Sequence, residues 1–243
     1  MDTSIWDAGK MGGPSSCESA FDKKIFSTAG KAITLYPALQ ADRPLIVLNT
    51  YTGDGESVMR ELRKAGAENI NLLVVGNLNW NHDMTPWDCP PLSKKDTPFT
   101  GGADRYLALL LAEILPRAKK LVCGSPPRTC IAGYSLAGLF ALYAMYRCDA
   151  FDRAASISGS LWYPHFREFA AEHEMPRRPD RIYLSLGVKE KKTRHPLLKT
   201  VQDNTEAIAK HYRQLGIEVT FELNPGNHFQ DAPFRSAKGI IAI

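Results

Sequence analysis

The segment that most constrains the fold of this chain joins two apolar runs through a very short connection. Thr129 to Ala132 has the composition of a buried strand, and Leu139 to Tyr146 has that of a helix. A strand that turns so sharply into a helix needs small side chains, because the helix start passes close to the strand end. Gly133 and Ala137 meet that need. The segment therefore predicts a strand, a tight turn and a buried helix.

Strands and helices are predicted to alternate along most of the chain. Pro44 to Asn49 and Asn71 to Val75 are continuous apolar runs, typical of strands buried on both faces, and Glu56 to Ala65 has helical spacing. Further strands are predicted at Lys31 to Tyr36, Phe151 to Ser158, Arg181 to Leu186 and Ile217 to Leu223. Further helices are predicted at Ala103 to Leu115 (ended by Pro116), Leu197 to Leu215 and Ala232 to Ile241. This alternation predicts an α/β fold with a doubly wound, mostly parallel sheet and helices on both faces.

The length of the chain predicts one domain over residues 1–243, with residues 1–20 as a surface arm. The long stretch from Gly76 to Gly102 is predicted to be an irregular loop, and such loops in compact domains are usually functional. The formal charge of +4 is modest, and no long basic stripe carries interleaved aromatic residues. Nucleic acid is therefore not an expected partner.

The cysteines and the apolar runs bear on the compartment. The five cysteines form no C-x-x-C pair and are expected to be free thiols in a reducing compartment. Met1 to Ser16 has no apolar core of a secretory signal, and no apolar run approaches the roughly 20 residues that a membrane helix needs. These features predict a cytoplasmic protein that does not bind a membrane.

Ser135 stands at the tip of the predicted turn, which gives the segment a chemical reading. A serine on a sharp strand-to-helix turn, with small residues two places on either side, is the pattern of a nucleophile elbow. The turn exposes the hydroxyl above the sheet, where it can attack an electrophile. The structural alternative is a serine that caps the N-terminus of an ordinary buried helix.

A serine nucleophile needs a base, and His228 is the predicted one. In α/β-hydrolases the chain order is serine, acid, histidine, and the histidine follows the last strand. His228 lies in such a loop, where Gly226 and Asn227 permit a tight turn. The other histidines sit in a helix or in loops that suit a surface or substrate-facing role.

The acid that orients the histidine is expected after the strand Arg181 to Leu186. Glu190 is the carboxylate of that loop, and Asp203 is the next one along the chain. A site in which a backbone carbonyl orients His228 is the third arrangement. Glu190 is the predicted acid, while a surface charge paired with neighbouring lysines is its structural alternative.

Two backbone N–H groups are needed to hold the negative charge of a tetrahedral intermediate. One is expected from Leu136, the residue after the nucleophile. The other is expected from Thr50 or Tyr51, after the strand Pro44 to Asn49, and Tyr51 is preferred.

Four segments of this chain resemble the putative esterase family, the α/β-hydrolase branch that includes esterase D and the enterochelin (siderophore) esterases. They are Gly133 to Leu142, Ser156 to Pro164, Gly226 to Phe229 and Ala237 to Ile240. The resemblance extends from about residue 25 to the C-terminus and implies the fold and the serine–histidine pair, but not the substrate. Family members tend to carry aspartate where Val188 stands, with glutamate two places on. Siderophore esterases are also expected to carry basic residues near the oxyanion loop, and Thr50 to Gly55 offers none.

Trp80, Trp87 and Trp162 are predicted to line the substrate pocket, with packing as the structural alternative for each. No cluster has metal-ligand spacing, and no phosphate-binding loop is present, so neither a metal nor another cofactor is expected. The expected partner is a small-molecule ester. The exposed face of the Glu56 to Ala65 helix is a candidate surface for a homo-oligomer.

The sequence thus predicts a serine esterase that forms an acyl-enzyme on Ser135. Three alternatives stay open at this point. In the first, the same residues transfer the acyl group to another acceptor, as in an acyltransferase. In the second, the protein is an esterase specific for a siderophore, an acylated sugar or a hydroxycinnamoyl ester. In the third, the protein has the fold but no catalytic activity and serves as a binding protein.

Overall fold

The computed structural model describes residues 22–243, and its central feature is an eight-stranded sheet. In chain order, its strands are β1 (Lys24–Thr28), β2 (Lys31–Tyr36), β3 (Leu45–Asn49), β4 (Asn71–Gly76), β7 (Thr129–Tyr134), β8 (Arg153–Ile157), β9 (Arg181–Gly187) and β10 (Glu218–Asn224). Their order across the sheet is β1-β2-β4-β3-β7-β8-β9-β10. The first two strands are antiparallel to their neighbours, and all later pairs are parallel. A separate two-stranded ladder pairs β5 (Asp88–Cys89) with β6 (Phe99–Thr100).

Helices cover both faces of the sheet. They are α1 (Glu56–Lys64), α2 (Trp80–Asp83), α3 (Ala103–Leu109), α4 (Leu115–Lys119), α5 (Leu136–Arg147), α6 (Phe166–Glu172), α7 (Val201–Gln214) and α8 (Ala232–Ala242). One hydrophobic layer includes the buried side chains of α3, α5 and α7, and the opposite layer includes those of α1 and α8. The predicted fold class, a doubly wound and mostly parallel sheet with helices on both faces, is confirmed.

The strands predicted from apolar runs agree with the structure. β3 and β4 are buried along their whole length, which fits continuous apolar sequences in the middle of a parallel sheet. Two elements were not predicted: β1, whose side chains alternate between half-buried and exposed, and α6, which follows the loop after β8. The predicted surface arm, residues 1–20, lies outside the described residues.

The prediction that Pro116 ends the helix beginning at Ala103 is wrong. Helical structure continues to Lys119. A π-helical stretch over Leu110–Ile114 joins the end of α3 to the start of α4. Pro116 then falls in the first turn of α4, where the backbone N–H that proline lacks is not needed.

The stretch from Gly76 to Gly102 is less irregular than predicted, since it contains α2 and the β5–β6 ladder. No disulfide joins the cysteines among residues 22–243, which are Cys89, Cys123, Cys130 and Cys148. Cys17 lies outside the described residues. Within residues 22–243, no helix has the length and apolar character needed to cross a membrane.

The contact between β7 and α5 depends on two glycines. A Cβ atom on Gly133 would lie 2.2 Å from the carbonyl oxygen of Ala137, and one on Gly138 would lie 3.0 Å from the carbonyl oxygen of Gly133. Backbone atoms cannot move aside as a flexible side chain can. The strand end and the helix start therefore approach this closely only because both positions lack a side chain.

We expect the Gly133→Ala substitution to destabilise the protein by about 1–3 kcal/mol through overpacking, with larger losses if the turn cannot relax. Gly76→Ala is the matched control, because the nearest atom to its added Cβ is 3.3 Å away. Denaturant unfolding of both variants measures the difference. Equal free energies of unfolding for the two variants would contradict the close-approach account.

Candidate active site

Ser135 occupies the turn between β7 and α5 in a conformation that few residues adopt. Its φ of 61° and ψ of −125° lie outside the regions open to most L-residues. Two backbone hydrogen bonds hold the turn: the Ser135 N–H donates to Ile157 over 3.1 Å, and the Ser160 N–H donates to the Ser135 carbonyl over 3.0 Å. The Ser135 side chain makes no capping hydrogen bond to α5. The structural alternative, a simple helix cap, is therefore not what the hydroxyl does here.

The Ser135 hydroxyl contacts the imidazole of His228. The distance from His228 Nε2 to Ser135 Oγ is 3.1 Å, although the residues are 93 positions apart in sequence. His228 lies in the loop after β10. The backbone carbonyl of His228 accepts a 2.6 Å hydrogen bond from the Tyr134 hydroxyl. This bond ties the histidine loop to the residue just before the serine.

The other ring nitrogen of His228 contacts Glu190. The distance from Nδ1 to Glu190 Oε2 is 2.8 Å, and the glutamate side chain is only 5% exposed. The second oxygen, Oε1, accepts hydrogen bonds from the Gly187 N–H and from the Ser158 hydroxyl, the latter over 2.8 Å. A carboxylate with these donors on both oxygens holds the imidazole in one orientation.

The hydrogen bonds of Glu190 also decide its charge. Burial raises the pKa of this carboxyl, but the hydrogen bonds from His228, the Gly187 N–H and the Ser158 hydroxyl outweigh burial and bring the pKa below its ordinary value. Glu190 is therefore ionised at neutral pH, as a group that stabilises an imidazolium must be.

Asp203 and two of the other histidines, His82 and His195, lie elsewhere. Asp203 is exposed on α7, and among residues 22–243 the carboxylate that pairs with His228 is that of Glu190 and not that of Asp203. His82 hydrogen-bonds the Thr100 hydroxyl at 2.8 Å, and His195 hydrogen-bonds the Leu92 carbonyl at 3.0 Å. Of the carboxylates considered from sequence, Glu190 is thus the one that the fold brings to the histidine.

The two predicted oxyanion donors lie on different elements. Leu136 begins the helix after Ser135, and Tyr51 lies in the loop after β3. Leu136 is the first residue of α5, where a backbone N–H has no acceptor within the helix. The Thr50 N–H donates to the Val75 carbonyl over 3.0 Å and is therefore committed to the sheet. Within residues 22–243, the Tyr51 N–H has no such backbone acceptor, which favours Tyr51 over Thr50 as the second donor.

The three predicted pocket tryptophans have different surroundings. Trp80 packs edge-on against the exposed ring of Tyr51, with 5.2 Å between ring centroids. Trp87 donates its indole N–H to the Pro164 carbonyl over 3.0 Å and belongs to an aromatic cluster. Trp162 is buried against Phe99. Packing accounts for Trp87 and Trp162, while Trp80 is the one placed beside a predicted oxyanion residue.

Several polar residues of the site were not predicted from the sequence. Ser158 and Ser160 both follow β8. Ser158 donates a hydrogen bond to Glu190, and the hydroxyl oxygen of Ser160 lies 3.3 Å from that of Ser135. Arg235 on α8 is 1% exposed and lies 3.7 Å from Glu190. It shares the buried face of α8 with Gly239, one helical turn later, so helical spacing could have indicated its burial.

The arrangement places a hydroxyl, an imidazole and an ionised carboxylate in one hydrogen-bonded line. Such a line suits proton removal from the hydroxyl by the imidazole, with the carboxylate stabilising the resulting positive charge. Among residues 22–243, no group of three or more His, Cys, Asp or Glu side chains is placed to hold a metal ion.

Comparison with solved structures finds proteins with a similar fold. An IroE-like serine hydrolase from Shewanella oneidensis superposes with a TM-score of 0.71 at 18% identity, covering 90% of this chain and 78% of that one. The siderophore hydrolase EstA from Aspergillus nidulans gives a TM-score of 0.68 at 19% identity, covering 96% and 98%. At these identities the likeness concerns the α/β-hydrolase fold.

Sequence comparison adds a relative and a family. The uncharacterized protein YbbA of Bacillus subtilis is 25% identical over 137 residues, which is 55% of this chain and 55% of that protein. The match therefore spans little more than half of the relative. The family model described as Putative esterase matches residues 49–236, well over half of the chain, and that range contains Ser135, Glu190 and His228. The chain belongs to the putative esterase family and has its α/β-hydrolase fold.

Proposed function

We propose that this protein is a serine esterase that hydrolyses a carboxylic ester through an acyl-enzyme on Ser135. His228 acts as the general base and Glu190 orients it, while the N–H groups of Leu136 and Tyr51 hold the oxyanion. The observation that carries the proposal is the pair of contacts made by the His228 ring, 3.1 Å to the serine oxygen and 2.8 Å to the glutamate oxygen. Family membership supports the same reaction class.

The reaction proceeds in two halves. In the first, Ser135 Oγ bonds to the ester carbonyl carbon as its proton passes to His228 Nε2. The tetrahedral intermediate then collapses, the bond to the leaving oxygen breaks, and His228 returns the proton to the departing alcohol. In the second half, water gives a proton to His228 and its oxygen bonds to the acyl carbon. The bond from that carbon to Ser135 Oγ then breaks, His228 returns the proton to Oγ, and the acid is released.

The substrate classes to be compared are siderophore esters, acylated sugars and hydroxycinnamoyl esters. The Aspergillus protein of similar fold is a siderophore hydrolase, which places siderophore esters in the comparison. The loop from Thr50 to Gly55 has no basic side chain of its own, and the nearby Lys23 ammonium pairs with Asp54 over 2.6 Å. A panel of all three ester classes, with product analysis in the presence of added alcohols, separates hydrolysis from acyl transfer.

We expect a burst of p-nitrophenol from a short acyl ester with the native protein, because acylation releases the phenol before water releases the acid. Ser135→Ala removes the attacking oxygen and should lower kcat by about 10⁴- to 10⁶-fold. Ser125→Ala, an exposed serine in the loop before β7, is the matched control and should retain the burst. Turnover by Ser135→Ala at the native rate would refute the proposal, and a native protein without any burst or turnover would favour an idle binding fold.

Replacing the two carboxylates considered for the acid should have unequal effects. Glu190→Gln removes the charge that stabilises the imidazolium and should lower kcat/KM by about 10²- to 10⁴-fold. Asp203→Asn changes an exposed carboxylate on α7 and should leave kcat/KM unchanged. Steady-state kinetics of both variants decides the assignment, which would be wrong if Asp203→Asn were the more damaging change.

The lowered pKa of Glu190 predicts a pH-dependent contribution to stability. Because the folded-state pKa lies below the ordinary value of 4.5, the stabilisation is fully present above that value and is lost as the pH falls through the folded-state pKa. We therefore compare the free energy of unfolding of the native protein with that of Glu190→Gln. The difference between them should be smaller at about pH 3 than at about pH 7. Denaturant unfolding at the two pH values measures this; a gap that widens in acid would contradict the assignment.

A further inference from the structure

Arg235 is a fully buried cation that the proposed reaction does not use. Its side chain is 1% exposed and is the bulkiest of the fully buried side chains among the described residues. Burying a guanidinium is costly unless its N–H groups are paired. The contacts that pair it lie at the active site and not in the hydrophobic layer of α8.

Two of these contacts hold the histidine loop. One terminal nitrogen, Nη2, donates to the Pro225 carbonyl, and the other, Nη1, donates to the Asn227 carbonyl over 2.9 Å. These carbonyls belong to the residues just before His228. The guanidinium therefore fixes the backbone from which the imidazole projects.

The remaining contacts reach the residues around the acid and the serine. Nη1 lies 3.7 Å from Glu190 Oε1 and 3.4 Å from the Ser158 hydroxyl, which itself donates to Glu190. Nη1 also lies 3.4 Å from the hydroxyl of Tyr134, the neighbour of Ser135 in the sequence. One side chain thus contacts the segments that carry all three members of the proposed triad.

We infer that Arg235 is a positioning residue that fixes His228 and Glu190 relative to Ser135. The inference rests on the proposed function and adds a residue to it. Arg235 does not touch the reacting atoms, so it acts through the histidine loop and the glutamate. Its loss should lower kcat by misplacing the imidazole, with little effect on substrate binding.

The geometry requires an arginine and not merely a positive charge. A guanidinium presents five N–H donors in a planar fork, so it can bond two carbonyls and still face a carboxylate. A lysine ammonium would keep the charge but could not span the same acceptors. The space is also closed, because a Cβ on Gly187 would lie 2.6 Å from the Gly226 carbonyl oxygen and 3.1 Å from Arg235 Nη1.

The first test compares Arg235→Lys with Arg153→Lys. Arg153, at the start of β8, also donates to a backbone carbonyl, that of Ile243 over 2.9 Å, but it lies at the opposite end of the strands from Ser135. Arg235→Lys should lower kcat by about 10²-fold, the scale of a misplaced catalytic group, with KM changed by less than about 3-fold. Arg153→Lys should lower thermal stability without changing kcat.

Arg235→Met separates position from charge. Removing a positive charge near the Glu190–His228 pair makes protonation of that pair easier, so the acid limb of the kcat/KM profile should move to higher pH. Arg235→Lys keeps the charge and should leave the limb in place while lowering the rate. A merely structural arginine would move neither the limb nor the ratio of kcat to KM.

Tyr134→Phe keeps the inference testable if the Arg235 variants fail to fold. It removes one hydroxyl that joins Arg235 to the His228 carbonyl and should lower kcat by about 2- to 10-fold, the range for one lost hydrogen bond. Native kcat in folded Arg235→Lys, or native kcat in Tyr134→Phe, would overturn the inference. Failure of the proposed function is a separate result, seen as native activity in Ser135→Ala.

Discussion

The hydrogen bond between His228 and Ser135 is the contact on which the rest of the site depends. Without it the serine is an ordinary alcohol, and Glu190, Ser158 and the predicted oxyanion donors have no reaction to support. The contact joins residues 93 positions apart. The fold brings the two residues together because β7, β8, β9 and β10 are adjacent and parallel. The carboxyl ends of these four strands therefore lie on the same side of the sheet. The loops that carry the serine, the glutamate and the histidine all leave from that side.

A second constraint lies beneath the serine. The turn from β7 into α5 requires glycine at positions 133 and 138. It also holds Ser135 in a backbone conformation that is costly for any residue other than glycine. The surrounding backbone hydrogen bonds to β8 and to Ser160 offset that cost. The strain and the exposure of the hydroxyl therefore have the same origin, which is the close approach of a strand end and a helix start.

The parts of this structure that sequence predicted are those with strong local signals. Buried parallel strands such as β3 and β4 are continuous apolar runs, and the elbow around Ser135 needs small residues at fixed places. The position of His228 followed from chain order, and its meeting with Ser135 depends on tertiary structure. Pro116 does not end the helix as predicted, because it falls in the first turn of α4, after a π-helical stretch that the local sequence does not indicate. Helical spacing could have indicated that Arg235 is buried, but its role could not be predicted, because its hydrogen-bond partners come from loops that are distant in sequence.

The most direct test of the central claim asks whether the fold activates one serine. The native protein and the same protein in denaturant are treated with a fluorophosphonate, and the adduct is located by peptide mass spectrometry. The account predicts a single adduct on Ser135 in the native protein and none at the same dose after unfolding, because the imidazole contact exists only in the fold. An unlabelled Ser135 in the native protein, or equal labelling before and after unfolding, would contradict it.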